Sequence, residues 1–243
     1  MFRFVVCSLN LWNNRHWDKR QQALRKFLHG SMPDVLALQE LRPTTRAAID
    51  HMLVEYQRVD DDFPGWSHEG NIFWNQEIFS LKEYGAEDFG AVEKYSRLYW
   101  VKLVLTSGTE ILFATAHFTA GNKIDEKKTG LNPRLSEATR CAEHLNRLTT
   151  EKQRVVFMGD LNEDEHTLWR LSAGGFTDVC TALHRTPQPT GPAVPLAGKI
   201  PAVDDWIYFR GPIRPMNFEV ARCQADPFPP SSHWPVLATF NIK

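Results

Sequence analysis

Apolar residues fall along this chain in two rhythms. Short continuous or alternating runs occur at Phe2–Leu9, Val35–Leu38, Ile72–Trp74, Leu98–Leu105, Ile111–His117, Val155–Met158, Trp206–Phe209 and Val236–Ile242. They have strand length and are rich in Val, Ile and aromatic residues, which predicts strands. Ser107-Gly108 lies between two of them and predicts a hairpin turn. Elsewhere apolar residues recur every three or four positions. Ala23, Leu24, Phe27 and Leu28 predict a helix closed by Gly30, with Pro33 shortly after. Ala48, Ile49, Met52 and Leu53 predict a second helix, capped by Thr44 or Thr45. Leu135, Ala138, Cys141, Ala142, Leu145 and Leu148 predict a long amphipathic third.

Strands outnumber helices, many of their links are hairpin-like, and helices intervene singly. This mixture predicts an α/β fold with two mixed β-sheets packed face to face and helices outside, a four-layer αββα sandwich. No internal repeat or dividing linker is visible, so residues 1–243 are expected to form one domain. The one break in composition is Thr186–Pro201, which holds five of the fifteen prolines. A loop of this length inside a domain suits a wall facing substrate.

Composition narrows the field. With 42% hydrophobic and 12% aromatic residues, the 243-residue chain can bury a large core. A net charge of −1 gives no overall basic field to draw it onto nucleic acid. Cys7, Cys141, Cys180 and Cys223 are widely spaced and form no Cys-x-x-Cys pair, so neither a zinc site nor a disulfide framework is implied. They suit the reducing cytoplasm. The first residues read as a strand rather than a signal peptide, and no segment has membrane-spanning length. The expected state is a soluble cytoplasmic monomer without membrane insertion.

Candidate chemistry lies at strand ends. Val155–Met158 leads into Gly159-Asp160-Leu161-Asn162, where a strand stopping at glycine would set Asp160 and Asn162 toward one side. An aspartate there can orient or deprotonate water, and an asparagine amide can hold a phosphoryl oxygen without adding charge. Phe2–Leu9 ends in Asn10, Val35–Leu38 leads to Glu40, and Ile111–Ala116 ends in His117. Asp205 opens one strand, and His233 precedes Pro235 and the last one. Polar residues gathered at one edge of packed sheets converge in a cleft. Glutamate there suits a hard cation and the histidines suit acid or electrostatic roles. Each residue taken singly has a plain structural use, as a turn, a cap or a solvated strand end; their joint occurrence argues for a site.

The ordered set Ser-Leu-Asn, Leu-Gln-Glu, Ala-His-Phe, Gly-Asp-Leu-Asn, Asp-Trp-Ile and Ser-His-x-Pro resembles the endonuclease/exonuclease/phosphatase superfamily, over roughly Phe2 to Ile242. The resemblance implies a divalent-metal phosphohydrolase, working by in-line attack of water. It implies Mg²⁺ or Mn²⁺ on Glu40 with help from Asn10. Asp160 would position or activate the water, and Asn162 and Asn10 would contact phosphate. His117 would stand by the scissile phosphate or leaving oxygen. His233, with Asp205 as its carboxylate partner, would stabilise the transition state. Gly70-Asn71-Ile72 and Arg97 also sit where members carry similar residues, so Arg97 is expected to contact substrate. The substrate would be a phosphate ester, with nucleic acid, nucleotides and lipid head groups all open.

Two departures stand out. The final motif commonly reads Ser-Asp-His in the superfamily, but here it is Ser231-Ser232-His233. Where some members have Asn-x-Asp, this chain has Asn10-Leu11-Trp12. Both remove carboxylates from the metal side, which implies a single weakly held cation. They also favour a second reading, a member that binds phosphate-containing partners without turnover; the presence of Glu40, Asp160, Asn162, Asp205 and His233 opposes it.

Overall fold

The computed structural model describes residues 2–121, 123, 126–163, 165–194, 200–223 and 228–242, with Lys127 as backbone. In chain order come β1 (Phe2–Asn10), α1 (Trp17–Ser31), β2 (Val35–Gln39), α2 (Pro43–Met52), β3 (Tyr56–Arg58), α3 (Gly65–His68) and β4 (Gly70–Asn75). Next are β5 (Phe79–Glu87), β6 (Leu98–Leu105), β7 (Glu110–His117), α4 (Glu126–Thr129), α5 (Pro133–Leu148) and β8 (Arg154–Asp160). The last are α6 (His166–Ala173), β9 (Thr177–Asp178), α7 (Val179–Ala182), β10 (Asp205–Arg210), β11 (Arg214–Val220) and β12 (Val236–Ile242).

The strands form two mixed six-stranded sheets, β11-β12-β1-β2-β4-β3 and β5-β6-β7-β8-β10-β9. Pairs β1–β2 and β7–β8 are parallel and the rest antiparallel. Alternate residues of each strand face opposite layers. Phe4 and Val6, Val35 and Ala37, Ile111 and Phe113, and Val156 and Met158 meet in the core between the sheets. Their neighbours turn outward: Cys7, Leu9, Leu36 and Leu38 pack with Leu24, Phe27, Leu28 and Ile49 of α1 and α2. Leu112, Ala114, Val155 and Phe157 pack with Ala138, Cys141, Leu145 and Leu171 of α5 and α6. Central strands covered on both faces read as unbroken apolar runs for this reason. Across the seam, Phe4 meets Phe113 edge-on at 5.8 Å, a contact worth about 1 kcal/mol beyond burial. The architecture is the expected four-layer sandwich.

Several local expectations are corrected. Gly30 lies within α1, which runs on to Ser31 and ends at Met32 in left-handed conformation (φ 39°). Thr45 is not the residue before α2; it sits inside the first turn and accepts a hydrogen bond from the Arg42 N–H at 3.0 Å. Gly159 does not stop β8, which continues through Asp160. It is needed for another reason. A Cβ at Gly159 would lie 2.1 Å from the Ala116 carbonyl oxygen on neighbouring β7, so a larger residue would force the strands apart.

Candidate active site

The inward-facing row of each central strand changes chemistry toward one edge. On β1 it runs Phe4, Val6, Ser8, Asn10; on β7 it runs Ile111, Phe113, Thr115, His117. On β8 it ends at Asp160, and on β10 it begins at Asp205, directly opposite Asp160 in register. Antiparallel β4, β10 and β12 bring their amino ends to the edge where β1, β2, β7 and β8 bring their carboxyl ends. Gln39 ties the two sheets just beneath, donating to Ser8 Oγ at 3.2 Å and Thr115 Oγ1 at 2.7 Å.

Above this edge opens a cleft of about 690 Å³, a size that can hold more of a substrate than one phosphoryl group. Glu40, His117, Asp160, Asn162 and His233 line it, as do Trp12 and Ser232. Asn10 and Asp205 are buried just behind. Asp160 is the hub. Its Oδ2 accepts from Asn10 Nδ2 at 2.7 Å and lies 3.6 Å from His117 Nε2 and 3.8 Å from His233 Nδ1. Its Oδ1 accepts the Asn162 N–H at 3.0 Å. Asn162 has left-handed backbone (φ 48°), which asparagine tolerates better than most residues, and its amide donates to the Phe118 carbonyl at 3.1 Å.

Each histidine has its own carboxylate. His233 Nδ1 donates to Asp205 Oδ2 at 2.8 Å, and His117 Nδ1 donates to Glu69 Oε1 at 2.8 Å. Burial disfavours the charged form of His117, but the Glu69 hydrogen bond and the charges of Asp160, Glu69 and Glu40 outweigh it and push its pKa up to about 10. His233 is likewise opposed by burial, yet Asp205 and Asp160 above all raise it to about 10. Both rings therefore carry charge at neutral pH.

Glu69 is a site residue that strand-end reasoning missed. It immediately precedes antiparallel β4, so it arrives at the edge from an amino end, as Asp205 does. The signal was the polar residue beside Gly70-Asn71.

The proline-rich segment fixes the His233 side. Thr190 is fully buried. Its Oγ1 accepts the N–H groups of Asp204 and Asp205 at 3.0 and 3.1 Å, and its carbonyl accepts the Trp234 N–H at 2.7 Å. Ala193 N–H donates to the Ser232 carbonyl at 2.6 Å. Gly191, Pro192 and Ile200 of this loop line the cleft; residues 195–199 lie outside the described residues.

Glu40 is held differently. Its backbone is left-handed (φ 51°), as are Trp12 (55°) and Asn13 (52°) across from it. Non-glycine residues in this region mark local strain that the surroundings must maintain. Glu40 Oε1 accepts from Asn10 Nδ2 at 3.2 Å and Oε2 from Asn13 Nδ2. Among the described residues, no cationic side chain pairs with Glu40 within 4.0 Å. Arg42 approaches Glu69 at 3.9 Å, and Lys123 pairs with Glu93 at 2.6 Å.

Two places offer donor atoms for a cation. Asp160, Asp205 and His233 bring one atom each within 4.8 Å of one another. There the Nδ1–Asp205 hydrogen bond already commits two of the three groups, so this is an acid–base cluster. Glu40, an unpaired carboxylate among neutral amides, fits a hard divalent cation better. Asn10, expected to share the cation, is turned as a donor: its Oδ1 accepts the Trp12 N–H at 2.8 Å. Arg97 stands apart from the groups lining the cleft. Its guanidinium lies over the Phe63 ring at 5.6 Å and donates to the Ser96 carbonyl at 2.7 Å.

Residues 7–233 match the model of the Endonuclease/Exonuclease/phosphatase family. Comparison with curated protein sequences gives no match. Among solved structures, a D. rerio TDP2 humanized by 14 mutations superposes with a TM-score of 0.81 at 20% identity, covering 98% of this chain and 99% of that one. D. rerio TDP2 complexed with a single strand DNA product gives 0.81 at 19% identity, covering 99% and 100%. The Bacteroides thetaiotaomicron mannosyl-6-phosphatase Bt3783 gives 0.83 at 16% identity, covering 98% and 100%. At such identities the likeness is one of fold.

Proposed function

Because the chain belongs to the endonuclease/exonuclease/phosphatase family, we propose that it hydrolyses a phosphate ester by in-line attack of water, with a divalent cation, Mg²⁺ or Mn²⁺, on Glu40. The observation that carries this is the position of Asp160. Its Oδ2 stands between two imidazoles, 3.6 and 3.8 Å away, each with a carboxylate of its own. That is an arrangement for handling water and protons beside an anion, in a cleft that also exposes Glu40.

A cation on Glu40 supplies positive charge to offset the phosphoryl oxygens. The chain's own groups do the rest. Asp160 orients the attacking water and takes its proton. The charged rings of His117 and His233 and the Asn162 amide face the spreading negative charge, where most of the barrier reduction arises. His233, with Nδ1 fixed by Asp205, would stabilise the transition state, and His117, held by Glu69, would serve the leaving oxygen. No covalent intermediate is needed.

Relatives in fold include a protein solved with single strand DNA product and a sugar phosphatase, so both nucleic acid phosphodiesters and small phosphomonoesters are candidate substrates. No helix among the described residues is long and apolar enough to cross a membrane. Four free cysteines favour a reducing compartment such as the cytoplasm. The test is a hydrolysis screen over oligonucleotides, nucleotides, sugar phosphates, inositol phosphates and phospholipid head groups with Mg²⁺ or Mn²⁺. Turnover that EDTA abolishes and that Glu40→Gln shifts to higher metal concentration is the expected result. Binding of these ligands without turnover under any metal would favour a phosphate-binding role instead.

A further inference from the structure

Asn13 lines the cleft with one hydrogen bond missing, as one is at Asp205 Oδ1 behind the cleft and at Gln39 Oε1 beneath it. The Nδ2 of Asn13 donates to Glu40 Oε2, while its Oδ1 is buried with no hydrogen-bond partner among the described residues. A buried acceptor without a donor is unfavourable, and natural structures rarely leave one without a use.

The residue is not free to drift away from Glu40. Its carbonyl accepts from Arg20 Nη2 at 2.5 Å, and the same guanidinium takes the carbonyls of Arg15 at 2.6 Å, Pro230 at 3.0 Å and Trp12 at 3.4 Å. Arg20 is fully buried and forms no ion pair within 4.0 Å among the described residues. A charge buried that way is tolerable only when its N–H groups are used. Here they are used to pin the Trp12–Arg15 loop and the segment leading to Ser231. The left-handed backbone at Asn13 then aims a short amide at Glu40.

We infer that Asn13 Oδ1 is a second protein ligand of the divalent cation held by Glu40, reached by turning the amide end for end. This rests on the metal-dependent reading above. The two ends of an amide are nearly equal in size, so the turn exchanges a donor for an acceptor without moving neighbours. Without a cation, the nitrogen end faces the carboxylate; with one, the oxygen end does. Amide oxygens are ordinary ligands for hard cations. Asn10 is less able to serve, because its oxygen holds the Trp12 N–H and its nitrogen spans Glu40 and Asp160. Asn13 would thereby add a second oxygen ligand beside Glu40, in a cleft where Trp12 and Ser232 bring no carboxylate.

The experiment is a Mn²⁺ titration of the whole protein without substrate, followed by calorimetry and by electron paramagnetic resonance of the free ion. Wild type, Asn13→Ala, Asn13→Asp and Glu40→Gln are compared after circular dichroism confirms folding. Asn13→Ala should weaken Mn²⁺ binding about tenfold, the scale on which metal-site residues act. Asn13→Asp should tighten it. That variant adds charge as well as an oxygen, so it counts only against the inference, when binding is equal or weaker; Asn13→Ala, which adds no charge, carries the positive case. Loss of binding in Glu40→Gln with unchanged affinity in Asn13→Ala overturns the inference while sparing the metal reading. Unchanged affinity in Glu40→Gln overturns the metal reading itself. Should Asn13→Ala fail to fold, equal or weaker binding in Asn13→Asp than in wild type still counts against Asn13 as a ligand.

Discussion

The two walls of the cleft are finished to different degrees. On the His233 wall Asp205 holds His233, Thr190 holds the Asp204 and Asp205 amides, and Thr190 and Ala193 hold the residues flanking His233, while Asp205 Oδ1 has no partner among the described residues. On the Glu40 wall, three residues sit in left-handed backbone, amides meet the carboxylate among the described residues, and an amide oxygen is left over. The first wall can do proton chemistry as it stands. The second suits the cation proposed for Glu40. Under the proposed function the two walls divide proton transfer from charge neutralisation, so damage to each should leave a different signature.

The largest effect is expected from Asp160→Asn. It keeps the shape of the hub but removes the acceptor for water's proton, so kcat should fall by about 10³-fold or more. Mn²⁺ affinity measured by calorimetry should hold within a small factor. A parallel collapse of Mn²⁺ binding would merge the two walls into one.

A smaller loss is expected from Thr190→Val. Two buried N–H groups would lose their side-chain acceptor, costing about 1–3 kcal/mol of stability. The Asp205–His233 pair would loosen, and kcat should drop about tenfold with Mn²⁺ affinity unchanged. Steady-state kinetics beside thermal melts read both. Full kcat in a destabilised variant would reduce Thr190 to a packing role.

The gentlest test is pH dependence of the metal-free protein. Both histidines have folded pKa values raised to about 10 from a reference of 6.5. Raised values mean the folded state binds the protons more tightly. Their stabilisation is therefore complete below pH 6.5 and is lost as pH rises toward about 10. Melting temperature in EDTA should decline across that window, and the decline should shrink in Asp205→Asn. An unchanged slope would mean that the His233 wall is not held by charge.

Much of this was legible in the residues because the sheets obey period two. Apolar rows fix which face of β1, β7 and β8 looks inward, and extending each row by one or two steps reaches Asn10, His117 and Asp160. Gly159-Asp160-Leu161-Asn162 stands at the end of such a row, although the glycine serves strand approach rather than strand ending. Glu69 escaped because it enters from the amino end of a strand, and direction within a sheet is set by tertiary pairing. Arg97 shows the same limit: adjacency to β6 in sequence says nothing about which way the guanidinium turns, and it turns to Phe63, outside the residues lining the cleft. Edge strands β5 and β11 also passed unseen. Facing solvent along much of their length, they alternate weakly and carry polar residues, as strand edges commonly do. Arg20 was invisible for a plainer reason: nothing in a helical Lys-Arg-Gln-Gln tells which charge will be buried.

The hydrogen bonds that assemble the cleft also set a timetable for its birth. Asn10 meets Asp160 across 150 positions of sequence, Arg20 meets Pro230 across 210, and Ser231 meets Asn10 across 221. In its sheet, β1 is flanked on one side by β2, made soon after it, and on the other by β12. As the chain leaves the ribosome, β1 must therefore wait with an open edge until β12 emerges, a long interval in which foreign strands compete for it. The cleft is complete only at the end of that wait. A nascent chain tethered short of β12 should thus be silent, and activity in a stalled-ribosome series should switch on in one step rather than grow by degrees.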